Sequence, residues 1–159
     1  MARPLDYIKT ARRLVGSRTA RRPRQSDLKR ALSTAYYAMF HAICWNCADC
    51  FIGGTNSDRS ASAWRQAYRA VEHRFAKSQC MNKSMMAKFP KDIEDFASQF
   101  KTLQEKRHKA DYDPFERFTL TDAETSIAAA ELAIKRFQKS PIKDRRAFAA
   151  WTAMKNRAD

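Results

Sequence analysis

Three glycines in 159 residues leave this chain little material for tight turns. Glycine supplies positive-φ backbone most cheaply, so its scarcity disfavours a strand-and-turn architecture and suits helices. No apolar run reaches the roughly 18 residues that a membrane-spanning helix needs, which argues against a membrane role. The N-terminus carries charges and lacks the apolar centre of a secretory signal. Four cysteines without such a signal read as reduced thiols of a cytoplasmic protein. No Ser-His-Asp order, glycine-rich phosphate loop or paired-carboxylate motif stands out. Histidine is as scarce as glycine, so proton transfer near neutral pH has only His41, His73 and His108 to draw on.

What is present is a basic, core-forming chain. Apolar residues make up 44% of it, too many for a disordered protein. A chain of this length buries roughly 68–70% of its extended surface, so it can fold without disulfides or metal, and no cofactor is expected. The length suits one domain over residues 1–159, with a core at about 5–139 and a helical extension at about 141–156. Thirty-one Lys and Arg face 17 Asp and Glu, a net charge of +14. That balance suggests a polyanionic partner such as nucleic acid. A basic surface kept for solubility, or for an acidic protein, is the alternative.

Helical spacing recurs along the chain. Leu5, Ile8, Ala11 and Val15 define a first helix, from about Leu5 to Arg18. The basic connector Arg18–Arg24 contains Pro23 and suits either phosphate contact or a solvated loop. Ser26 is a plausible N-cap for a second helix ending at Gly53-Gly54. Its stripe of Leu28, Leu32, Ala35, Met39 and Ile43 is widened by Tyr36, Tyr37, Phe40 and Cys44, so it should be central and buried on most sides. Trp64, Ala67, Val71 and Phe75 predict a third helix, and the Met-rich stretch Cys80–Lys88 a connector or short helix. Pro90 suits the first turn of a fourth helix running to about Asp111. Thr121-Asp-Ala-Glu124 reads as a capping box for a fifth. Pro141 ends that one, and Phe148 and Trp151 would dock a short last helix. The expected fold is all-α, an antiparallel up-and-down bundle of about five helices.

The most informative stretch is Arg107-His-Lys-Ala-Asp-Tyr112. Ile93, Phe96, Phe100 and Leu103 step by three and four, and Arg107 and Ala110 continue that apolar stripe. A guanidinium keeps its charge, so on such a face it must be paired or line a polar cleft. Arg107 and Asp111, one turn apart, can pair and anchor the helix end against Tyr36 or Tyr37. His108 lies about 100° around the helix from Arg107, with Tyr112 one turn below it.

A second helix reading Ala35-Tyr-Tyr-Ala-Met-Phe-His-Ala42, followed by an Arg107-x-x-Ala110-Asp-Tyr112 segment, resembles the HEPN family of small helical bundles. The resemblance covers roughly residues 5 to 139 by helix order and length, and its specific part is those two motifs. It implies a homodimer that is RNA-directed, since many members are metal-independent endoribonucleases of toxin–antitoxin or defence systems. Others pair with a small nucleotidyltransferase or bind nucleotide without catalysis. The nuclease motif is an Arg, a polar residue, three to five more residues and a His. Arg107 and His108 match its start. Its terminal His would fall at Tyr112, Asp113 or Pro114, and none is histidine.

The chemistry shows why that departure matters. Cleaving RNA through its own 2′-hydroxyl takes a general base, a general acid and a cation for the added phosphorane charge. Arg107 supplies the cation; a histidine transfers protons near pH 7 far better than a tyrosine does. The candidate site is therefore Arg107, His108, Asp111 and Tyr112, with His108 moving the proton and the last two orienting. Tyr112 also sits near where a nucleotidyltransferase partner attaches a nucleotide in related pairs, although the matching His-x-Tyr is absent. Candidate RNA contacts are Arg21, Arg22, Arg24 and Lys109. A second basic group, Lys135, Arg136, Lys139, Lys143, Arg145 and Arg146, is either a further backbone contact or a solvated face.

Cys44, Cys47 and Cys50, with Cys80 as a fourth, suggest a zinc or iron–sulfur site. In a helix those positions drift around the axis, so small buried thiols are the better reading. His41, among aromatics, reads as a hydrogen-bonded core or interface residue, and His73, between Glu72 and Arg74, as a surface one.

Overall fold

A computed structural model describes residues 1–16 and 22–158, and every regular element in them is a helix. The order is α1 (Pro4–Val15), α2 (Gln25–Ile52), α3 (Ala61–Arg69), α4 (His73–Cys80), α5 (Lys83–Met86), α6 (Lys91–Tyr112), α7 (Leu120–Lys139) and α8 (Ile142–Ala153). The all-α expectation holds among the described residues. Their eight helices exceed the expected five and a terminal one because the third breaks in two and the Met-rich connector forms a short turn of its own.

Capping explains most boundary differences. α1 ends at Val15, with Gly16 as its C-cap. α2 starts ahead of Ser26 because the Asp27 carboxylate accepts a hydrogen bond from the Arg24 amide at 3.1 Å. The box at the start of α7 lies two residues earlier than expected. There Thr119 Oγ1 accepts from the Asp122 amide, and the Asp122 carboxylate accepts from the Thr119 amide, both at 3.0 Å. Pro90 is the N-cap of α6 and lies outside its first turn.

The break between α3 and α4 has no glycine or proline at residues 70–72 to mark it. Tertiary contacts hold it instead, which is how packing overrides propensity. Trp64 donates its indole N–H to Asp49 at 2.8 Å, fixing α3, while Val71 turns inward and Ala76 is fully buried. After the break, Gly53 is the other special backbone position. Its φ of 127° closes α2, and a Cβ there would meet Ser57 Cβ at 2.8 Å.

α2 is the axis of the molecule. Leu32, Tyr36, Met39, Ile43 and Cys47 are fully buried on it, and it packs against α1, α3, α6, α7 and α8. Phe96 of α6, Phe137 of α7 and Phe148 of α8 meet in one aromatic cluster, with ring centroids 4.5 to 6.1 Å apart. No helix among the described residues is long and apolar enough to cross a membrane.

Candidate functional site

The N-terminal half of α2 and the C-terminal end of α6 are joined by a ladder of polar contacts. Gln25 exchanges hydrogen bonds with the backbone of Phe118 at 2.8 and 3.0 Å. Lys29 donates to the Asp113 carbonyl at 2.9 Å, and Ser33 to the Asp111 carboxylate at 3.4 Å. Arg107 donates to the Tyr37 hydroxyl at 3.4 Å. The partners on α2 ascend from 25 to 37 while the others descend from 118 to 107, so the two helices run in opposite directions.

Arg107 sits at the head of this ladder. Its side chain is 14% exposed, as its place on the apolar stripe of α6 requires. The guanidinium carbon lies 5.3 Å from the Tyr36 ring centre, 5.5 Å from that of Tyr37 and 6.0 Å from that of Tyr112. Ring faces of this kind attract a cation. Its Nε donates to Asp111 Oδ2 at 3.0 Å. Aromatic faces and one carboxylate therefore compensate the charge, and the planar fork is held in place with a small part of it open to solvent.

Tyr36 connects the arginine to His73, which the sequence placed on the surface. The Tyr36 ring is fully buried and stacks on Phe100 of α6 at 5.2 Å. Its hydroxyl is hydrogen-bonded to His73 Nε2, the first residue of α4. His73 is half-buried between Tyr36 and Phe40, with centroids 5.3 and 4.9 Å away, where its charged neighbours predicted a surface residue. Burial lowers the pKa of His73, and the positive charges of Arg107 and Lys77 push the same way. Burial also raises that of the Tyr36 hydroxyl. A neutral imidazole and a protonated phenol thus stand behind the arginine at neutral pH.

Of the residues singled out from the sequence, Arg107, Asp111 and Tyr112 are brought together. His108 is exposed, with its ring 5.1 Å from that of Tyr112. Lys109 is exposed and lies about 200° around α6 from Arg107, so it points away from the arginine. Arg22 and Arg24 are exposed where α2 begins, at the foot of the ladder. Arg21 lies outside the described residues. The basic residues of α7 and α8 belong to another part of the surface, where Asn46 donates to the Arg145 carbonyl and Lys135 pairs with Glu131.

The cysteines are core thiols. Burial pushes Cys44, Cys47 and Cys80 up to about 12, which disfavours the thiolate a metal needs. No group of three His, Cys, Asp or Glu side chains among the described residues is arranged to hold a metal ion. Only a contact pattern could have revealed His73, because 37 residues and a helix break separate it from Tyr36. No protein-family model matches the chain, and no curated protein or solved structure matches it.

Proposed function

We propose that this chain is an RNA-directed protein of the HEPN kind, an antiparallel bundle that works as a homodimer in a toxin–antitoxin or defence system. The observation that supports it is the seating of Arg107: a permanent cation, nearly buried, with its fork held by Asp111 and the rings of Tyr36 and Tyr37. Such a fork grips two oxygens of a phosphate, and the charge of +14 draws the polyanion to it. Arg21, Arg22 and Arg24 would hold flanking backbone, and Lys109, on the far side of α6, would not.

Metal-free cleavage at this site needs one proton removed and one supplied. When His73 donates Nε2–H to Tyr36, its Nδ1 keeps a lone pair that can take the proton of the RNA 2′-hydroxyl. The 2′-oxygen then attacks phosphorus and the bond to the 5′-oxygen breaks. The 5′-oxygen takes a proton from His108, leaving a 2′,3′-cyclic phosphate and a free 5′-hydroxyl. Arg107 stabilises the added charge on phosphorus, while Asp111 and Tyr112 fix the arginine and His108.

The test is incubation of the purified protein with structured RNA in chelator. Cleavage by wild type that is lost in Arg107→Ala and in His73→Ala is the expected result. Intact RNA in every sample removes the enzymatic form. A second reading, a non-catalytic module that binds RNA, nucleotide or a nucleotidyltransferase partner, draws on the Arg107–Asp111 pair, which half-neutralises the cation in the free protein. It predicts binding that weakens in Arg107→Ala while RNA stays whole.

A further inference from the structure

A separate cavity of about 470 Å³ opens where α1, α2 and α3 meet. That volume falls within the roughly 300–1,000 Å³ of small-molecule sites. Tyr7 of α1, His41 of α2, and Trp64 and Tyr68 of α3 line it. These rings form one aromatic wall. Tyr7 stacks on His41 at 4.5 Å, His41 lies side by side with Tyr68 with ring centres 5.9 Å apart, and Tyr68 stacks on Trp64 at 5.3 Å. Arg59 caps the far face of Trp64, with its guanidinium carbon 4.9 Å from the ring centre.

Flat aromatic side chains line the cavity, and another flat ring packs against them in offset-stacked or edge-to-face geometry. The wall is also locked. Tyr68 is hydrogen-bonded to His41 Nδ1, Trp64 donates to Asp49, and Arg59 donates to Asp49 at 3.1 Å and to the Gly53 carbonyl at 2.7 Å. His41 Nε2 is left over for a polar contact.

The rim is cationic. Arg65 and Arg69 stand one turn apart on α3, both line the cavity and both are exposed. Neither makes a salt bridge or a side-chain hydrogen bond among the described residues, and no carboxylate is among the lining residues. An apolar floor of aromatic rings beneath two uncompensated arginines is complementary to a flat ring carrying an anion.

We infer that this cavity is a second binding site, taking a nucleobase joined to a phosphate, with the base against the aromatic wall of Tyr7, His41 and Tyr68 and the phosphate on Arg65 and Arg69. This site does not depend on cleavage at Arg107. The two are neighbours, since Tyr37 and His41 are one turn apart on the same face of α2. The shared chemistry has two sources, a free nucleotide or the end of an RNA strand.

Isothermal titration of the full chain with AMP, GMP, CMP and UMP tests it, with guanosine and inorganic phosphate as the half-ligands and a 5′-phosphorylated trinucleotide as the strand. The expected result is saturable one-to-one binding of at least one nucleotide, with both half-ligands at least tenfold weaker. Arg65→Ala/Arg69→Ala, both exposed positions, should weaken it at least tenfold with an unchanged circular dichroism spectrum. Tyr68→Phe, which frees His41, should weaken it several-fold. A trinucleotide that binds tighter than every mononucleotide identifies an RNA end, and the reverse identifies a free nucleotide. No saturation by any nucleotide or by the trinucleotide at about 5 mM, a limit near 3 kcal/mol of binding, overturns the proposal. So does equal binding by the double variant, or by inorganic phosphate alone. Loss of RNA cleavage in Arg107→Ala leaves these outcomes unaffected.

Discussion

Replacing Arg107 with alanine should destabilise the fold by about 1–2 kcal/mol. The figure comes from its three kinds of contact. Two tyrosine faces lie near 5.4 Å from the guanidinium carbon, within the range where a partly buried cation–π contact contributes roughly 0.5–1 kcal/mol. The third ring, Tyr112, is 66% exposed and adds little. The pair with Asp111 is an i,i+4 contact of roughly 0.3–0.5 kcal/mol. Against these stands the desolvation of a guanidinium that is 14% exposed, which alanine relieves. For a chain of this size the net cost lowers the melting temperature by roughly 3–6 °C. Urea denaturation followed by circular dichroism measures it, in a cycle with Asp111→Asn, where the coupling should be about 0.5 kcal/mol. Arg107→Lys keeps the charge but loses the planar fork, so it should recover less than half of the loss. An Arg107→Ala protein as stable as wild type, or more so, would refute the idea that the tyrosine faces compensate the buried charge.

Phe148→Ala should cost about 3–5 kcal/mol in urea denaturation, since its ring is fully buried against Phe96 and Phe137 and ties α8 to α6 and α7. Gly53→Ala should cost about 1–3 kcal/mol by the same measurement, because its φ of 127° strains any side chain and Ser57 stands 2.8 Å from the new Cβ. Burial lowers the pKa of His41 and of His73 from 6.5, so the unfolded chain takes up their protons first. The stability they confer is complete above pH 6.5 and is lost as pH falls through their folded values. Urea midpoints between pH 7.5 and about 5 should therefore drop, and less steeply in His73→Gln.

Periodicity carried the fold a long way. The α6 stripe made Arg107 visible, because a charge at an apolar register is an anomaly that needs no structure to notice. The central α2, buried on most sides, was likewise legible from aromatics spread around its circumference. The α3–α4 break was not, since Trp64, Ala67, Val71 and Phe75 keep perfect helical spacing across a turn held only by tertiary contacts. His73 was placed on the surface for the same reason, and the aromatic wall of Tyr7, His41, Tyr68 and Trp64 went unseen because its members come from three helices. The α7 cap slipped by two residues because Thr119–Asp122 and Thr121–Glu124 offer overlapping patterns, and geometry chose the first.

Tyr36 places Arg107 and His73 on either side of one ring, which couples two equilibria. The arginine's charge is part of what keeps the imidazole unprotonated. Any anion that settles on Arg107 cancels some of that repulsion, so His73 gains proton affinity as the anion arrives. Reciprocity then requires the anion to be held more firmly as the medium turns acidic, even where no bond is ever cut. Association measured in two buffers of different ionisation enthalpy would register the uptake directly, as a heat that depends on the buffer.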